Sequence, residues 1–412
     1  MARSWRCSIV GSLLVFLLTG SSPVAAQDSG DTDNAIVIGY RHSIYSKVLE
    51  EERSIWVHTP EGYVESSIVY PVLYVLDGSS HLHHTSGVVQ FLSANNRIPS
   101  MIVVAIPNTT DRTRDLTPPM TMPDTADQFP TAGGADNFLR FLREELQPWV
   151  EREYRTAPYN ILIGHSFGGL FATHTLLNEP ETFDAYLAIS PSLWWDDETW
   201  IEKAEHLFDH HPNLKGSLYM TMANEGGNML AGAWGLTRIL ETSAPDSFDW
   251  EWKLMEAEDH GSIPHPSTYD GLEWLFRGWQ MPDFFQVVMD GGDEGMERVD
   301  RHYADLTARF GFTVRAPEGS MNRIGYYLLQ QKRTEDAIRV FESNVRRYPE
   351  SANTYDSLGD AYDAACRLEE ARENYTRAYR IAIRDSRPNA ETYKEHLDKV
   401  TEKIEKGDCT VR

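Results

Sequence analysis

Residues 161–169 have the sequence Ile161-Leu162-Ile163-Gly164-His165-Ser166-Phe167-Gly168-Gly169, in which a short apolar run enters a glycine-flanked serine. The apolar run is typical of a buried strand, and the apolar residues at 168–177 are typical of a compact helix. A turn this tight forces Ser166 into a strained backbone conformation, and side chains at the flanking glycines would collide. The pattern predicts a serine hydroxyl presented at the C-terminal edge of a sheet, where a helix begins.

Further apolar runs on both sides of this turn predict the rest of the sheet. They lie at 54–58, 70–76, 101–106, 159–163, 183–189, 218–222 and 250–255. Helical patterns lie between them, and at 137–146 the apolar residues recur at helical spacing. This alternation indicates an α/β fold with a mostly parallel sheet covered on both faces.

The pattern changes after residue 282, where strand signals stop. Three pairs recur at a spacing of 34 positions: Gly325 and Gly359, Ala337 and Ala371, and Phe341 and Tyr375. This period is typical of tetratricopeptide repeats, which are pairs of antiparallel helices. Two repeats are few for an independent array, so we expect additional helices at 283–310 or cover from the preceding domain. The predicted organisation is a leader at 1–26, an α/β domain at 27–282 and an all-α repeat domain at 283–412.

The first 26 residues have the features of a signal peptide. Arg3 and Arg6 precede an apolar stretch at 9–18, and Val24-Ala25-Ala26 is a small-residue cleavage site before Gln27. The stretch is too short to span a bilayer comfortably, so we expect export to the periplasm or medium without stable membrane insertion. An uncleaved anchor is the alternative.

The overall charge excludes one class of partner. The formal net charge is −24 and no run of lysine or arginine is present, so a nucleic acid would be repelled. Cys366 and Cys409 follow the leader and are able to pair in an oxidising compartment, but the sequence leaves their pairing open.

A serine hydroxyl attacks an ester only with help from a base whose pKa lies near neutrality. His260 qualifies because it stands in the loop that follows the predicted strand at 250–255. His265, five residues further on, is the rival. We prefer His260 because it lies closer to the end of the strand.

The acid that orients the histidine is expected after the strand at 218–222, where Glu225 stands. Glu258 and Asp259 are alternatives, although neighbours of His260 in sequence reach its ring with difficulty. Asp196 and Asp197 follow an earlier strand and fit less well.

An oxyanion needs two backbone N–H donors. Phe167 follows the nucleophile and supplies one amide, and Ser79, after the strand at 70–76, supplies the other. His81, His83 and His84 form a short cluster, but one loop rarely completes a metal site. We therefore expect neither a metal nor a cofactor.

These residues resemble the putative esterase family of α/β hydrolases, which includes esterase D, the mycolyltransferases and esterases that open ferric-siderophore trilactones. The matching stretches are Tyr74-Val75-Leu76-Asp77-Gly78, Gly164-His165-Ser166-Phe167-Gly168-Gly169, Ser190-Pro191-Ser192-Leu193-Trp194-Trp195, Asn224-Glu225 and Asp259-His260-Gly261-Ser262. The resemblance implies an α/β-hydrolase fold, a Ser166, Glu225 and His260 triad, and the two oxyanion donors named above. The C-terminal repeats depart from the compact pattern of the family.

The resemblance also suggests residues that contact the substrate. The loop at 108–118 looks like that of the siderophore-esterase branch, and its Arg112 or Arg114 would bind an anionic substrate or form a structural ion pair within the loop. Trp194 and Trp195 would line a pocket for an acyl or aryl group, although packing in the core would also explain the presence of either tryptophan.

Three functional hypotheses follow. The first is a secreted serine carboxylic-ester hydrolase that forms an acyl-enzyme on a small-molecule ester, either siderophore-like or a simple aryl or acyl ester. The second is an acyltransferase with the same triad. The third is a scaffold with an idle esterase core, whose repeats bind a protein or peptide.

Overall fold

One sheet of eight strands forms the centre of the structure. The strands are β1 Tyr40–Ser46, β2 Glu51–His58, β3 Tyr70–Leu76, β4 Ile102–Ile106, β5 Thr156–His165, β6 Ala185–Ile189, β7 Gly216–Ala223 and β8 Phe248–Met255. Their order in the sheet is β1-β2-β4-β3-β5-β6-β7-β8. β1 and β2 are antiparallel, β2 runs antiparallel to β4, and the remaining neighbours are parallel.

The computed structural model describes residues 35–64, 68–109, 111–122, 127–407 and 409, so the predicted leader at 1–26 lies outside the described residues. Every predicted apolar run forms one of the strands, and all seven residues of β3 are buried. The predicted sheet lacked β1, which is mostly exposed and whose hydrophobic residues follow no strand pattern.

Helices cover both faces of the sheet. They are α1 Gly78–Ala94, α2 Arg112–Leu116, α3 Ala135–Phe141, α4 Gln147–Glu153, α5 Phe167–Asn178, α6 Trp200–His210, α7 Gly227–Ser243 and α8 Pro264–Leu275. α1 and α8 pack on one face of the sheet, while α3, α5, α6 and α7 pack on the other. The predicted helix at 137–146 is α3 followed by one π-helical turn at Leu142–Leu146. The prediction of an α/β fold with a mostly parallel sheet is confirmed.

The C-terminal region consists of helices. They are α9 Phe284–Asp290, α10 Gly292–Phe310, α11 Glu318–Gln330, α12 Thr334–Arg347, α13 Ala352–Ala364, α14 Leu368–Arg384 and α15 Ala390–Lys406. A Cβ atom on Gly325 would lie 2.4 Å from the ring of Phe341, and one on Gly359 would lie 2.6 Å from the ring of Tyr375. The period of 34 residues therefore places an aromatic ring of one helix against a glycine of its partner, as tetratricopeptide repeats require.

The repeats pack directly against the α/β region. The ring of Phe310 at the end of α10 lies 5.3 Å from that of Tyr159 in β5 and 5.0 Å from that of Phe276. Nη2 of Arg309 donates to the carbonyl oxygen of Leu275 at the end of α8. Because Ile38–Arg412 forms one compact unit, the boundary near residue 282 stays a prediction.

Two further observations concern the chain beyond the sheet. Cys366 and Cys409 form a disulfide with a Cα–Cα distance of 5.7 Å, which settles the pairing that the sequence left open. Within the described ranges, no helix is both long enough and apolar enough to cross a bilayer.

Candidate active site

The turn between β5 and α5 has the strained geometry that the glycine pattern predicts. Ser166 adopts φ 60° and ψ −115°, a combination that an L-residue rarely occupies. A Cβ atom on Gly164 would lie 2.1 Å from the carbonyl oxygen of Gly168, and one on Gly169 would lie 2.9 Å from Cα of Pro191. The amide of Ser166 donates to Ile189 at 3.0 Å, which fixes the turn to β6. Backbone sterics and one cross-strand bond therefore hold Ser166 in place.

The hydroxyl of Ser166 is half-buried at the C-terminal edge of the sheet. Its Oγ lies 3.4 Å from Oγ of Ser192, a buried residue in the loop after β6. In the part of the chain that the structure describes, no hydrogen bond joins Ser166 Oγ to His260. Ser192 received no role from the sequence, because a serine carries no signal of the neighbours it will meet.

Glu225 and His260 are brought together from two loops. Nδ1 of His260 forms an ion-pair contact with Oε1 of Glu225. The amide of Asn224 donates to the carbonyl oxygen of Glu258 at 3.0 Å and ties the loop after β7 to the loop after β8. The side chain of Glu225 is 14% exposed and that of His260 is 42% exposed, so the carboxylate is shielded while the ring remains accessible.

The rival residues have other partners. Oδ1 of Asp259 accepts from the amides of Gly261 and Ser262, both at 2.9 Å, and these bonds lower the pKa of Asp259. Oε2 of Glu258 accepts from the hydroxyl of Ser262 at 2.6 Å. Both carboxylates thus order the loop around His260.

Asp196, the alternative acid after β6, binds a different part of the chain. Its carboxylate accepts from the amide of Thr121 at 2.8 Å and the amide of Met122 at 2.9 Å. Asp197 is exposed. His265, the alternative base, stands at the start of α8 with its ring 5.6 Å from that of His84.

His165 connects two parts of the site. One is the turn at residues 164–169 that carries the predicted nucleophile Ser166, called the nucleophile turn below, and the other is the loop that carries His260. The ring centroid of His165 lies 4.4 Å from that of His260, with the planes inclined at 44°. Burial, reinforced by the charge of His260, lowers the pKa of His165 to about 3, so the ring is neutral at physiological pH. No role was predicted for His165 from the sequence, although its position next to Ser166 is a signal that could have identified it.

The predicted oxyanion donors lie in the first turns of two helices. α1 begins at Gly78 and α5 begins at Phe167, so the amides of Ser79 and Phe167 belong to first turns that have no intrahelical acceptors. A Cβ atom on Gly78 would lie 2.6 Å from the amide nitrogen of Ile106, so α1 begins in close contact with β4. Two helix N-termini therefore meet this edge of the sheet and favour negative charge there.

Arg112 joins the start of α1 to the nucleophile turn. Its Nε and Nη2 donate to the carboxylate of Asp77 at 2.5 and 2.9 Å, and Nη2 also donates to the carbonyl oxygen of His165 at 3.2 Å. Burial alone would raise the pKa of Asp77, but the hydrogen bonds and charge of Arg112 outweigh it and the pKa is lowered. The pair is thus charged on both sides.

Arg114 faces a separate ion-pair cluster. Its guanidinium donates to Glu51 at 2.7 and 3.1 Å and to Asp115 at 2.8 Å, and Arg53 donates to Asp115 at 2.6 Å. The predicted alternative of an ion pair within the loop thus fits Arg114 and Asp115, whereas Arg112 pairs with Asp77 outside the loop. A contact of either with substrate stays a prediction.

Aromatic side chains lie beside the nucleophile turn. The ring of Phe167 is 5.8 Å from that of Phe129 and 6.2 Å from that of Trp194, and all three side chains are half-buried. Trp195 is 2% exposed and belongs to the core. Trp194 is therefore the tryptophan that a substrate is able to reach.

The histidines of α1 are paired with each other. Nδ1 of His81 lies 2.9 Å from Nε2 of His84, and burial is the largest cause that lowers the pKa of His84 to about 4. No group of three His, Cys, Asp or Glu side chains is arranged to hold a metal ion in the described ranges.

Comparison with known proteins agrees with this geometry. Residues 46–239 match the family model described as putative esterase, and residues 318–384 match a tetratricopeptide repeat model. The first match contains Ser166 and Glu225 and ends before His260.

Two curated relatives resemble this chain. The ferri-bacillibactin esterase of Bacillus subtilis is 35% identical over 152 residues, which are 33% of this chain and 53% of that protein. The siderophore triacetylfusarinine C esterase of Aspergillus fumigatus is 27% identical over 253 residues, which are 51% of this chain and 82% of that protein. The chain thus spans about half the length of the Bacillus protein.

A solved structure has the same fold. The IroE-like serine hydrolase of Shewanella oneidensis superposes with a TM-score of 0.63 at 29% identity, over 75% of this chain and 99% of that one. The chain is therefore similar to the putative esterase family at 46–239 and to tetratricopeptide repeats at 318–384.

Proposed function

We propose that this protein is a serine carboxylic-ester hydrolase in which Ser166 is the nucleophile, His260 the general base and Glu225 the acid that orients it. The observation that carries the proposal is the Glu225–His260 contact, placed beside the nucleophile turn by the packing of His260 on His165. With Nδ1 held by Glu225, Nε2 of His260 is the nitrogen that accepts the serine proton.

The reaction proceeds through an acyl-enzyme. Oγ of Ser166 forms a bond to the ester carbonyl carbon while His260 takes the hydroxyl proton, and the amides of Ser79 and Phe167 hold the oxyanion. The carbon–oxygen bond to the alcohol then breaks, and His260 returns the proton to the departing alcohol. Water repeats the attack with His260 as base and releases the acid and free Ser166.

The first step requires the serine hydroxyl to turn from Ser192 towards His260. The 3.4 Å separation between Ser166 Oγ and Ser192 Oγ is long for a hydroxyl–hydroxyl bond, so little is lost when it breaks. Catalytic hydrogen bonds commonly tighten only when substrate is bound.

Replacement of the nucleophile tests the proposal. Ser166→Ala lowers kcat for a p-nitrophenyl ester by roughly four orders of magnitude or more and abolishes labelling by a fluorophosphonate. Ser192→Ala is the matched control, since it removes the neighbouring hydroxyl but keeps the nucleophile and its labelling. Turnover retained by Ser166→Ala would refute the assignment. Added alcohol acceptors leave free acid as the only product, whereas a new ester would identify an acyltransferase.

The names of the relatives suggest the kind of ester. Two of them are named as esterases of iron-binding siderophores, ferri-bacillibactin and triacetylfusarinine C. We propose that the substrate is a small-molecule ester, either of siderophore type or a simple aryl or acyl ester. A panel of these esters on the purified chain compares their kcat/KM values directly.

We also propose that the protein is exported. The Cys366–Cys409 disulfide supports this, because such bonds persist mainly in oxidising compartments. N-terminal sequencing of the exported protein tests it, with Gln27 expected as the first residue.

The repeats supply a second surface. A cavity of about 1010 Å³ lies between the start of β3, at Tyr70 and Pro71, and the helical region at Tyr348, Pro349 and Tyr393. Because β3 starts at the edge of the sheet opposite Ser166, a protein or peptide bound there leaves the catalytic edge open. We propose such a partner, and peptide-array binding to the intact chain tests it.

A further inference from the structure

The loops at the catalytic edge carry an unbalanced charge. They follow the C-terminal ends of β3, β4, β6, β7 and β8 and form five segments, whose described residues are 77–80, 107–131 without 110 and 123–126, 190–199, 224–228 and 256–263. These five segments contain two arginines and no lysine, whereas each of them contains at least one carboxylate. The edge that presents Ser166 is therefore acidic by composition.

The two arginines offset only part of this excess, and both are already paired with carboxylates. Arg112 makes a two-pronged ion pair with Asp77, which is 6% exposed. Arg114 is bound by Glu51 and Asp115. An incoming anion would have to displace a carboxylate from either guanidinium.

Several rim carboxylates are exposed to solvent. Asp127 lies two residues before Phe129, Asp197 follows the half-buried Trp194 closely, and Glu256 begins the loop that carries His260. Exposed charges act over about 10 Å at ordinary ionic strength, so carboxylates on these loops repel an anion that approaches this edge of the sheet. The nearest wall of the site is apolar, since Phe129, Phe167 and Trp194 present aromatic rings there.

Resting on the proposed ester hydrolysis, we infer that the site selects uncharged acyl groups and rejects anionic ones. The aromatic wall contacts an apolar acyl or aryl group, and the carboxylate rim repels a substrate that carries its own negative charge. The helix N-termini at Ser79 and Phe167 favour negative charge only at the oxyanion, which forms during the reaction. A siderophore ester whose iron complex is neutral fits this site, and one whose complex is anionic does not.

A pair of esters that share the reacting group and the acyl chain but differ in charge at the far end tests the inference. The p-nitrophenyl ester of monomethyl suberate is neutral, and the p-nitrophenyl ester of suberate carries a distal carboxylate on the same chain. With rates corrected for hydroxide-catalysed hydrolysis, kcat/KM for the neutral ester exceeds that for the anion roughly tenfold or more at low salt. In about 0.5 M NaCl the ratio shrinks towards one, because salt screens exposed charges.

Charge-neutralising variants locate the effect. Asp127→Asn, Asp197→Asn and Glu256→Gln together raise kcat/KM for the anionic ester several-fold and leave the neutral ester unchanged. Asn tolerates the left-handed backbone of Asp197, whose φ is 51°. The matched control removes three exposed carboxylates from the C-terminal helices, at Glu297, Asp305 and Glu373, and leaves the ratio unchanged.

The outcomes separate the inference from the function on which it rests. No hydrolysis of either ester by the wild-type chain would refute the proposed function. Equal kcat/KM values that do not respond to salt would overturn the charge selection while the esterase assignment stands. An equal response in the rim and control variants would overturn the assignment to the catalytic rim.

Discussion

The nucleophile turn and the helical repeats both depend on glycine, but for different reasons. At the turn, the space of a Cβ on Gly164 is occupied by the backbone oxygen of Gly168, at 2.1 Å. In the repeats, the space of a Cβ on Gly325 is occupied by the ring of Phe341, at 2.4 Å. The backbone oxygen of Gly168 is held in place by its helix and cannot move aside. The ring of Phe341, by contrast, can be replaced by a smaller side chain through mutation. The turn is therefore specified by the main chain and the repeats by side-chain packing.

The largest effect is expected at the turn. Gly164→Ala forces a methyl group into the carbonyl of Gly168, so the turn opens and Ser166 leaves its position. We expect the rate of ester hydrolysis to fall to that of Ser166→Ala. Labelling by a fluorophosphonate, which measures the reactivity of Ser166, should be lost as well. Gly87→Ala is the matched control, because nothing lies within 4 Å of its Cβ position in α1. That variant keeps full activity and gains about 0.5–1 kcal/mol of stability.

The repeats depend in addition on a covalent link. The Cys366–Cys409 disulfide closes a loop with a sequence separation of 43 residues. Chain entropy predicts that Cys366→Ser with Cys409→Ser lowers the free energy of unfolding by up to about 4 kcal/mol. Urea unfolding measures the change, and kcat at 25 °C stays unaltered because the link lies far along the chain from the catalytic loops. Dithiothreitol then destabilises only the wild-type protein, and equal sensitivity of the variant would contradict the prediction.

A smaller effect is expected inside the repeats. Gly325→Ala pushes a methyl group against the fully buried ring of Phe341 and costs about 1–3 kcal/mol of stability. Combining it with Phe341→Leu recovers part of the loss, since the smaller side chain vacates the space. No second substitution rescues Gly164→Ala in the same way. A strictly additive double variant would remove the distinction between the two regions.

The sequence predicted the parts of the molecule that repeat or that obey local sterics. Buried strands, the glycine-flanked Ser166 and the spacing of 34 residues each leave a pattern within one short stretch. Glu225 and His260, which are far apart in sequence and were predicted to act together, are in contact in the structure. They meet because the parallel strands that precede them end at the same edge of the sheet. Their roles in catalysis remain predictions.

Other features were not predicted from the sequence because they depend on contacts between loops. Arg112 forms an ion pair with Asp77, which is 35 positions away in sequence. Ser192 contacts Ser166, which is 26 positions away. Neither pair has a spacing rule that a single sequence displays. β1 was not predicted for a different reason, since its hydrophobic residues Tyr40, Ile44 and Tyr45 neither alternate nor form a continuous run.

The smallest effect at neutral pH concerns His165, the titratable side chain of the turn that carries Ser166. Its pKa is lowered from 6.5 to about 3 by burial, so the folded protein disfavours the protonated ring. As pH falls below 6.5, His165 binds a proton in the unfolded chain but not in the folded one. The free energy of unfolding therefore decreases progressively between pH 6.5 and pH 3. His165→Phe keeps an aromatic ring against His260 but cannot titrate. Between pH 7 and pH 4.5 its free energy of unfolding should therefore rise relative to wild type by about 2.5 kcal/mol. Chemical denaturation at both pH values measures this difference, and parallel losses in the two proteins would show that His165 is protonated without cost in the fold.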